Sequence, residues 1–138
     1  MSKIKYDLDI MKYISLFESL TGANIKDCIV NDVIFFIVHE NEMGKAIGKQ
    51  GANIKRVENA LKKKIRLAEF SSDVSQFIQN LIYPLKAKEI KEEEDGIISI
   101  YVDDRKTKGL IIGRDRHNIN SVVDIVKRHF KVEEIKVV

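Results

Sequence analysis

Two glycines separated by two residues interrupt a basic stretch of this chain. In AIGKQGANIKRVENALKKKIRL, residues 46–67, Gly48 and Gly51 bracket Lys49 and Gln50. Glycine permits the unusual backbone angles of a helix that ends and restarts within four residues, and it lets another backbone approach closely. The restarted helix presents N–H groups and a partial positive charge at its first turn. The stretch therefore predicts a surface that binds phosphate groups.

Further cations surround this break. Lys45 precedes it, and Lys55 and Arg56 follow one helical turn later. Hydrogen bonds and charge attraction to phosphate oxygens give affinity for a nucleic-acid backbone without reading its sequence. An isolated G-x-x-G more often only permits a turn between two helices. The phosphate-binding prediction therefore depends on the flanking helical patterns, on the crowding of basic residues and on a second, related break.

That second break lies 65 residues further along the chain, where IIGRDRHNI aligns with AIGKQGANI. Gly48 then aligns with Gly113, and Asn53 aligns with Asn118. Apolar periodicity around each break gives the same order twice: helix, strand, strand, helix, helix, strand. The sequence predicts two small α+β domains, residues 1–70 and residues 71–138.

The second break departs from the first at one of its glycines. Arg116 stands where the second glycine is expected, and its side chain intrudes on a surface that is bare in the first break. Asp115 adds a negative charge close to the expected phosphates, whereas Arg114 and Arg116 can offset it by pairing with phosphate. A working loop and a degenerate loop kept for structure both remain open. We expect the first domain to bind more strongly.

Composition and missing motifs exclude several functional classes. The 138 residues are 44% hydrophobic and 33% charged, with a net charge of +3, as in an ordinary globular protein with a mild basic bias. We find no nucleotide-binding glycine motif, no nucleophile with a recognisable base and no metal-ligand spacing. The single cysteine, Cys28, fits a reducing cytoplasm, and no apolar run reaches membrane-spanning length. We expect a cytoplasmic protein that is not an enzyme, without a metal, cofactor, membrane or small-molecule substrate.

The first break also resembles a known family. IGKQGANIKRVENAL resembles the G-x-x-G core of KH RNA-binding domains, and the order of elements resembles their type II arrangement. Together with FESLTGANIKDCIV, SSDVSQFIQNLIYP and IVKRHFKVEEIKVV, it resembles the archaeal NusA-like transcription factors. The resemblance covers nearly the whole chain. It implies an α+β fold of two tandem type II KH domains, each a small three-stranded mixed sheet with three helices on one face.

The resemblance further implies that G-x-x-G loops grip the backbone of about four nucleotides of single-stranded RNA. It implies a role in transcription elongation, pausing, termination or antitermination, with RNA polymerase as a partner. The residues expected to contact RNA are Lys45, Ile47, Gly48, Lys49, Gln50, Gly51, Ala52, Asn53, Arg56, Lys108, Gly113, Arg114, Arg116 and Asn118.

Two other functions remain open at this point. The same fold occurs in RNA-binding factors of ribosome assembly and RNA processing. Alternatively, the chain is a protein-interaction module without RNA binding, whose acidic KEEEDG turn faces a basic partner.

Overall fold

A computed structural model describes residues 7–138. Residues 1–6, the start of the first predicted domain, lie outside the described residues. The chain divides into two compact units, the first ending at Ser71 and the second comprising Ser72–Val138. The first unit contains α1 (Leu8–Thr21), β1 (Ile25–Val30), β2 (Ile34–Val38), α2 (Met43–Ile47), α3 (Ala52–Leu61) and β3 (Ile65–Glu69). The second contains α4 (Val74–Ile82), β4 (Glu89–Glu92), β5 (Ile97–Tyr101), α5 (Arg105–Ile112), α6 (His117–Lys127) and β6 (Glu134–Val137).

Local signals set the bounds of the first helix. The carboxylate of Asp7 accepts a hydrogen bond of 2.8 Å from the backbone N–H of Ile10 and so caps the start of α1. Gly22 ends the helix in the left-handed conformation, at φ 76°. Phe17 is the buried residue of this helix, and it brings the helix onto the sheet.

The sheet of the first unit has the order β1-β2-β3. β1 pairs antiparallel with β2, and β2 pairs parallel with β3. Parallel neighbours need a long crossover connection, and here α2 and α3 together provide it. The glycine break therefore lies inside a crossover that must reverse direction between two packed strands.

One core joins the helices of the first unit to this sheet. Phe36 in β2 packs against Phe17, with ring centroids 4.4 Å apart, and both side chains are fully buried. Ala46 of α2 and Val57 of α3 belong to the same cluster. Each buried aromatic or aliphatic side chain contributes about 1.5–3 kcal/mol. Both helices that flank the glycine break are thus held to the sheet on each side of it.

The second unit repeats this arrangement. Its sheet has the order β4-β5-β6, with an antiparallel pair followed by a parallel pair. Phe77 in α4 is fully buried, and its ring lies 5.8 Å from that of Phe130. Asp73 caps α4 by accepting from the N–H of Ser75. The predicted α+β class with two small three-stranded mixed sheets is confirmed.

Candidate nucleic-acid interface

The first glycine break is a single tight turn between two helices. α2 ends at Ile47 and α3 begins at Ala52, and residues 48–51 form a non-helical turn between them. Gly48 has φ 73° and ψ 174°, a region open essentially to glycine alone. Gln50 (φ 55°) and Gly51 (φ 75°) are both left-handed. Because Gly51 has no side chain to cap α3, the first N–H groups of that helix lack an N-cap partner.

Asn53 holds this turn from inside. Its side-chain nitrogen donates a hydrogen bond of 2.7 Å to the carbonyl oxygen of Lys45, in the preceding helix. In this position its Cγ would lie only 2.7 Å from a Cβ placed on Gly48. The amide of Asn53 thus fills the space that any side chain at position 48 would need.

The side chains predicted to meet RNA around this turn are mostly exposed. Lys49, Gln50 and Ala52 are exposed, and Ile47 is a large apolar side chain that is 37% exposed. They surround the turn and the start of α3. A base can pack against the exposed apolar side chain, and the neighbouring cations can bind the phosphate of the same nucleotide.

Two of the predicted cations have partners within the protein. The ammonium of Lys45 lies 3.2 Å from a carboxylate oxygen of Glu42. The guanidinium of Arg56 donates a long hydrogen bond of 3.4 Å to the carbonyl of Leu20, near the end of α1. Both side chains remain exposed, and surface contacts of this kind are weak. Each cation can therefore exchange its present partner for a phosphate.

Glu42 is a residue that the sequence reasoning missed. Its carboxylate accepts hydrogen bonds from the backbone N–H of Asn24, at 3.1 Å, and from the Asn24 side-chain amide, at 2.9 Å. The backbone N–H of Asn24, followed by the Lys45 ammonium, lowers the pKa of Glu42 below its ordinary value of 4.5. Glu42 ties the start of α2 to the segment before β1. Its spacing of three residues from Lys45 was the one local signal of this role.

The second break has the same backbone shape as the first. Gly113 has φ 76° and ψ 170°, and Asp115 has φ 53°. Asn118 donates to the carbonyl of Leu110 at 3.0 Å, and its Cγ would lie 2.6 Å from a Cβ on Gly113. Both units therefore use the same arrangement, in which an asparagine packs against a glycine five residues earlier in the chain.

Arg116 takes the left-handed conformation that Gly51 takes in the first unit, with φ 62°. The loop shape therefore survives without the second glycine, at the cost of an unfavourable backbone angle for an L-residue. Arg114, Asp115 and Arg116 are all exposed. An added Cβ at Gly51 would meet no atom within 4 Å, so that side of the first turn is open.

The cations around the second break occupy different positions from those around the first. Leu110, which is 49% exposed, occupies the position of Lys45. Lys108 is half-buried on α5, five residues before Gly113. Asp104 caps α5, and hydrogen bonds from the backbone and then the hydroxyl of Thr107 lower the pKa of this carboxyl.

Metal binding and membrane insertion were considered for the part of the chain that the structure describes. Within residues 7–138, no three His, Cys, Asp or Glu side chains lie close enough to hold a metal ion. Over the same residues, every helix is too short or too polar to cross a membrane. Cys28 is buried in β1.

This chain is similar to known proteins over nearly its whole length. The family model described as "KH domain" matches residues 12–95, more than half of the chain. A protein of Methanococcus vannielii named "Probable transcription termination protein NusA" is 39% identical over 99% of this chain and 80% of its own length. The chain belongs to the archaeal NusA family of KH-domain proteins.

Other members of the NusA family match over similar lengths. The protein of the same name from Methanocaldococcus jannaschii is 31% identical over all of this chain and 77% of its own length. That of Halococcus morrhuae is 32% identical over 91% of this chain and 92% of its own length. The crystal structure of APE1850 superimposes with a TM-score of 0.77 at 33% identity, covering 96% of this chain and all of that one.

Proposed function

We propose that this protein is a single-stranded RNA-binding transcription factor built from two tandem type II KH domains, and that it is not an enzyme. The family supports RNA binding in general, because KH domains clamp a short run of nucleotides with their G-x-x-G loops. The observation that supports the proposal most for this chain is that the two turns have nearly the same backbone geometry. Gly48 and Gly113 have the same backbone angles, and each is packed by an asparagine five residues later.

The first turn supplies the grip. The N–H groups at the start of α3 and the ammonium of Lys49 bind phosphate oxygens, while Gln50 donates a further hydrogen bond. Ile47 and Ala52 provide an apolar surface for a base next to the turn. Arg56 leaves the carbonyl of Leu20 for a phosphate or a base edge when RNA is present. Asn53 orders the turn, since its amide nitrogen already donates within the protein.

The second turn binds more weakly. Arg114 and Arg116 approach a phosphate from the same kind of turn, which is flanked by Lys108 on α5 and Asn118 on α6. The carboxylate of Asp115 lies between the two arginines in sequence and repels the same phosphate. Leu110 replaces one of the cations that surround the first turn.

The role in transcription rests on the relatives. Three archaeal proteins that this chain matches over most of their length carry the name of a transcription termination protein. We place this protein in transcription elongation, pausing, termination or antitermination, with RNA polymerase as its partner. Ribosome assembly is the rival process. Copurification with RNA polymerase supports the transcriptional role, and copurification with ribosomal particles contradicts it.

The RNA grip is tested by the double change Lys49→Asp/Gln50→Asp. Aspartate already takes the torsions of Gln50 at Asp115 in the second unit, so the changed turn keeps its shape. We expect the binding of a fluorescent single-stranded RNA to be lost, because two carboxylates now face the phosphates. The measurement is fluorescence anisotropy at several salt concentrations, with thermal unfolding as the check of the fold.

A matched control makes the same change of charge elsewhere. Asn31→Asp/Lys86→Asp also removes one positive and adds two negative charges, at two exposed positions outside both turns. This control is expected to bind RNA within a few-fold of the wild type. Equal binding by the Lys49→Asp/Gln50→Asp variant and the wild type overturns the assignment of the turn.

A further inference from the structure

Positive charge is concentrated in one part of the first unit, and much of it lies outside the glycine turn. Residues 45–66 contain eight Lys or Arg and one acid, so their net charge is 8 − 1 = +7. The whole chain carries +3, which leaves 3 − 7 = −4 for the rest. Three of the eight cations, Lys62, Lys63 and Lys64, follow one another at the end of α3, about 15 Å from the turn by the length of a ten-residue helix.

An exposed polar face of α3 connects the turn to these lysines. Lys55, Asn59 and Lys62 are spaced by four and three residues, which places them on one side of the helix, and all three are exposed. Val57 is fully buried on the opposite side. A strand that leaves the turn along this face meets Lys55 first and the lysine triplet next.

The backbone that carries the triplet is fixed. Lys62 ends α3, and its N–H donates to the carbonyl of Glu58 at 2.8 Å. The carbonyl of Lys64 accepts a hydrogen bond of 3.1 Å from the N–H of Ile34 at the start of β2. The ammonium of Lys63 lies 5.9 Å from the ring centroid of Tyr13, a cation–π contact with α1.

The charges of the three lysines are not neutralised by neighbouring acids. Glu58 is the acid of this stretch, and its carboxylate accepts from the N–H of Ile65 at 3.1 Å. Within residues 7–138, none of the three lysines forms an ion pair. The next cation along the chain is Arg66, whose guanidinium carbon lies 5.0 Å from the ring centroid of Phe35.

Lys62 occupies a strained position. Its φ of 55° and ψ of 36° are left-handed, at the place after a helix where glycine is usual. A long side chain here costs about 1 kcal/mol relative to glycine. Strained backbone of this kind clusters at functional sites.

We propose that Lys62, Lys63 and Lys64 form a second contact surface for the sugar–phosphate backbone of the RNA strand gripped at Gly48–Gly51. This inference rests on the proposed function. Lysine is a compact point charge that suits contact with phosphates without reading sequence. An acidic protein is a less suitable partner, because protein interfaces need buried apolar or aromatic anchors. Among the described residues, no exposed large apolar side chain lies between positions 52 and 66.

The test compares two RNA lengths. One is an RNA of about four nucleotides, the run that a KH turn clamps, and the other is three times as long. The variant is Lys62→Gln/Lys63→Gln/Lys64→Gln, since glutamine already adopts the torsions of Lys62 at Gln50. We expect unchanged affinity for the short RNA and a loss of roughly tenfold for the long one. The slope of log affinity against log salt falls by about 2 for the long RNA, at about 0.7 per lost cation.

A control variant removes the same charge from the second unit. Lys86→Gln/Lys131→Gln/Lys136→Gln changes three exposed lysines and is expected to leave the salt slope for the long RNA unchanged. An unaltered slope in the Lys62–Lys64 variant overturns this inference and leaves the turn's role intact. Loss of binding to an acidic protein partner, with RNA binding unaffected, also overturns it. Failure of the Lys49→Asp/Gln50→Asp test on the short RNA is the separate result that overturns the proposed function itself.

Discussion

The side-chain amide of Asn53 lies in the space that a Cβ of Gly48 would occupy, with Cγ 2.7 Å from that point. The same amide donates to the carbonyl of Lys45 and so closes the turn from the preceding helix. Gly113 and Asn118 have the same relationship: the Cγ of Asn118 would lie 2.6 Å from a Cβ on Gly113. The glycine therefore serves two purposes: it permits a positive φ, and it admits the asparagine that fixes the turn.

Removal of the asparagine is expected to loosen the turn. Asn53→Ala loses one hydrogen bond to a backbone carbonyl, and we expect the free energy of unfolding of the first unit to fall by about 1 kcal/mol. Urea denaturation measures this change. Asn59→Ala, at an exposed position on the same helix, is the control and should change stability by less than about 0.5 kcal/mol. Equal effects of the two changes contradict a specific role for Asn53.

The two glycines of the first turn are expected to differ in their sensitivity to substitution. Gly48→Ala places a Cβ against Asn53 at a backbone angle closed to alanine. Gly51→Ala meets no atom within 4 Å and bears only the cost of a left-handed residue, about 1 kcal/mol. Thermal unfolding of the two variants should show the larger decrease for Gly48→Ala. The reverse order is incompatible with the packing of Asn53.

The contacts of Glu42 predict a pH dependence of stability. Its pKa in the folded protein lies below the ordinary 4.5, so it stabilises the fold above that pH, and this contribution is lost as the pH falls through the folded value. Glu42→Gln should therefore be less stable than the wild type at pH 7. The difference should shrink as urea unfolding is repeated at pH values below 4.5. A difference that is independent of pH argues against the ionised contacts to Asn24 and Lys45.

Arg116 allows the two interpretations of the second turn to be separated. Arg116→Gly relieves a left-handed L-residue, and we expect stability to rise by about 1 kcal/mol. If the turn binds RNA, affinity falls despite the gain in stability, because a cation is lost. If the turn is kept only for structure, affinity stays constant. Denaturation and RNA titration of the same variant measure both quantities.

The elements of this fold could be predicted from local patterns. The apolar stripe around Phe17, a capping aspartate at position 7 or 9 and the terminal Gly22 indicate α1, because helix periodicity and end signals are local properties of a chain. Gly48 and Gly51 marked the break for the same reason, since positive φ angles favour glycine at particular positions. Arg116 showed no such signal, because arginine has no preference for the left-handed angle that it adopts there.

The sequence alone determined the repeated order of helices and strands, the place of both turns and the concentration of cations around the first, because each depends on residues close together in the chain. Only the tertiary structure decided which side chains are engaged within the protein. Arg56 reaches the carbonyl of Leu20, 36 residues away, and Glu42 reaches Asn24, 18 residues away. Contacts over such separations depend on how helices pack on a sheet, which local sequence patterns do not encode.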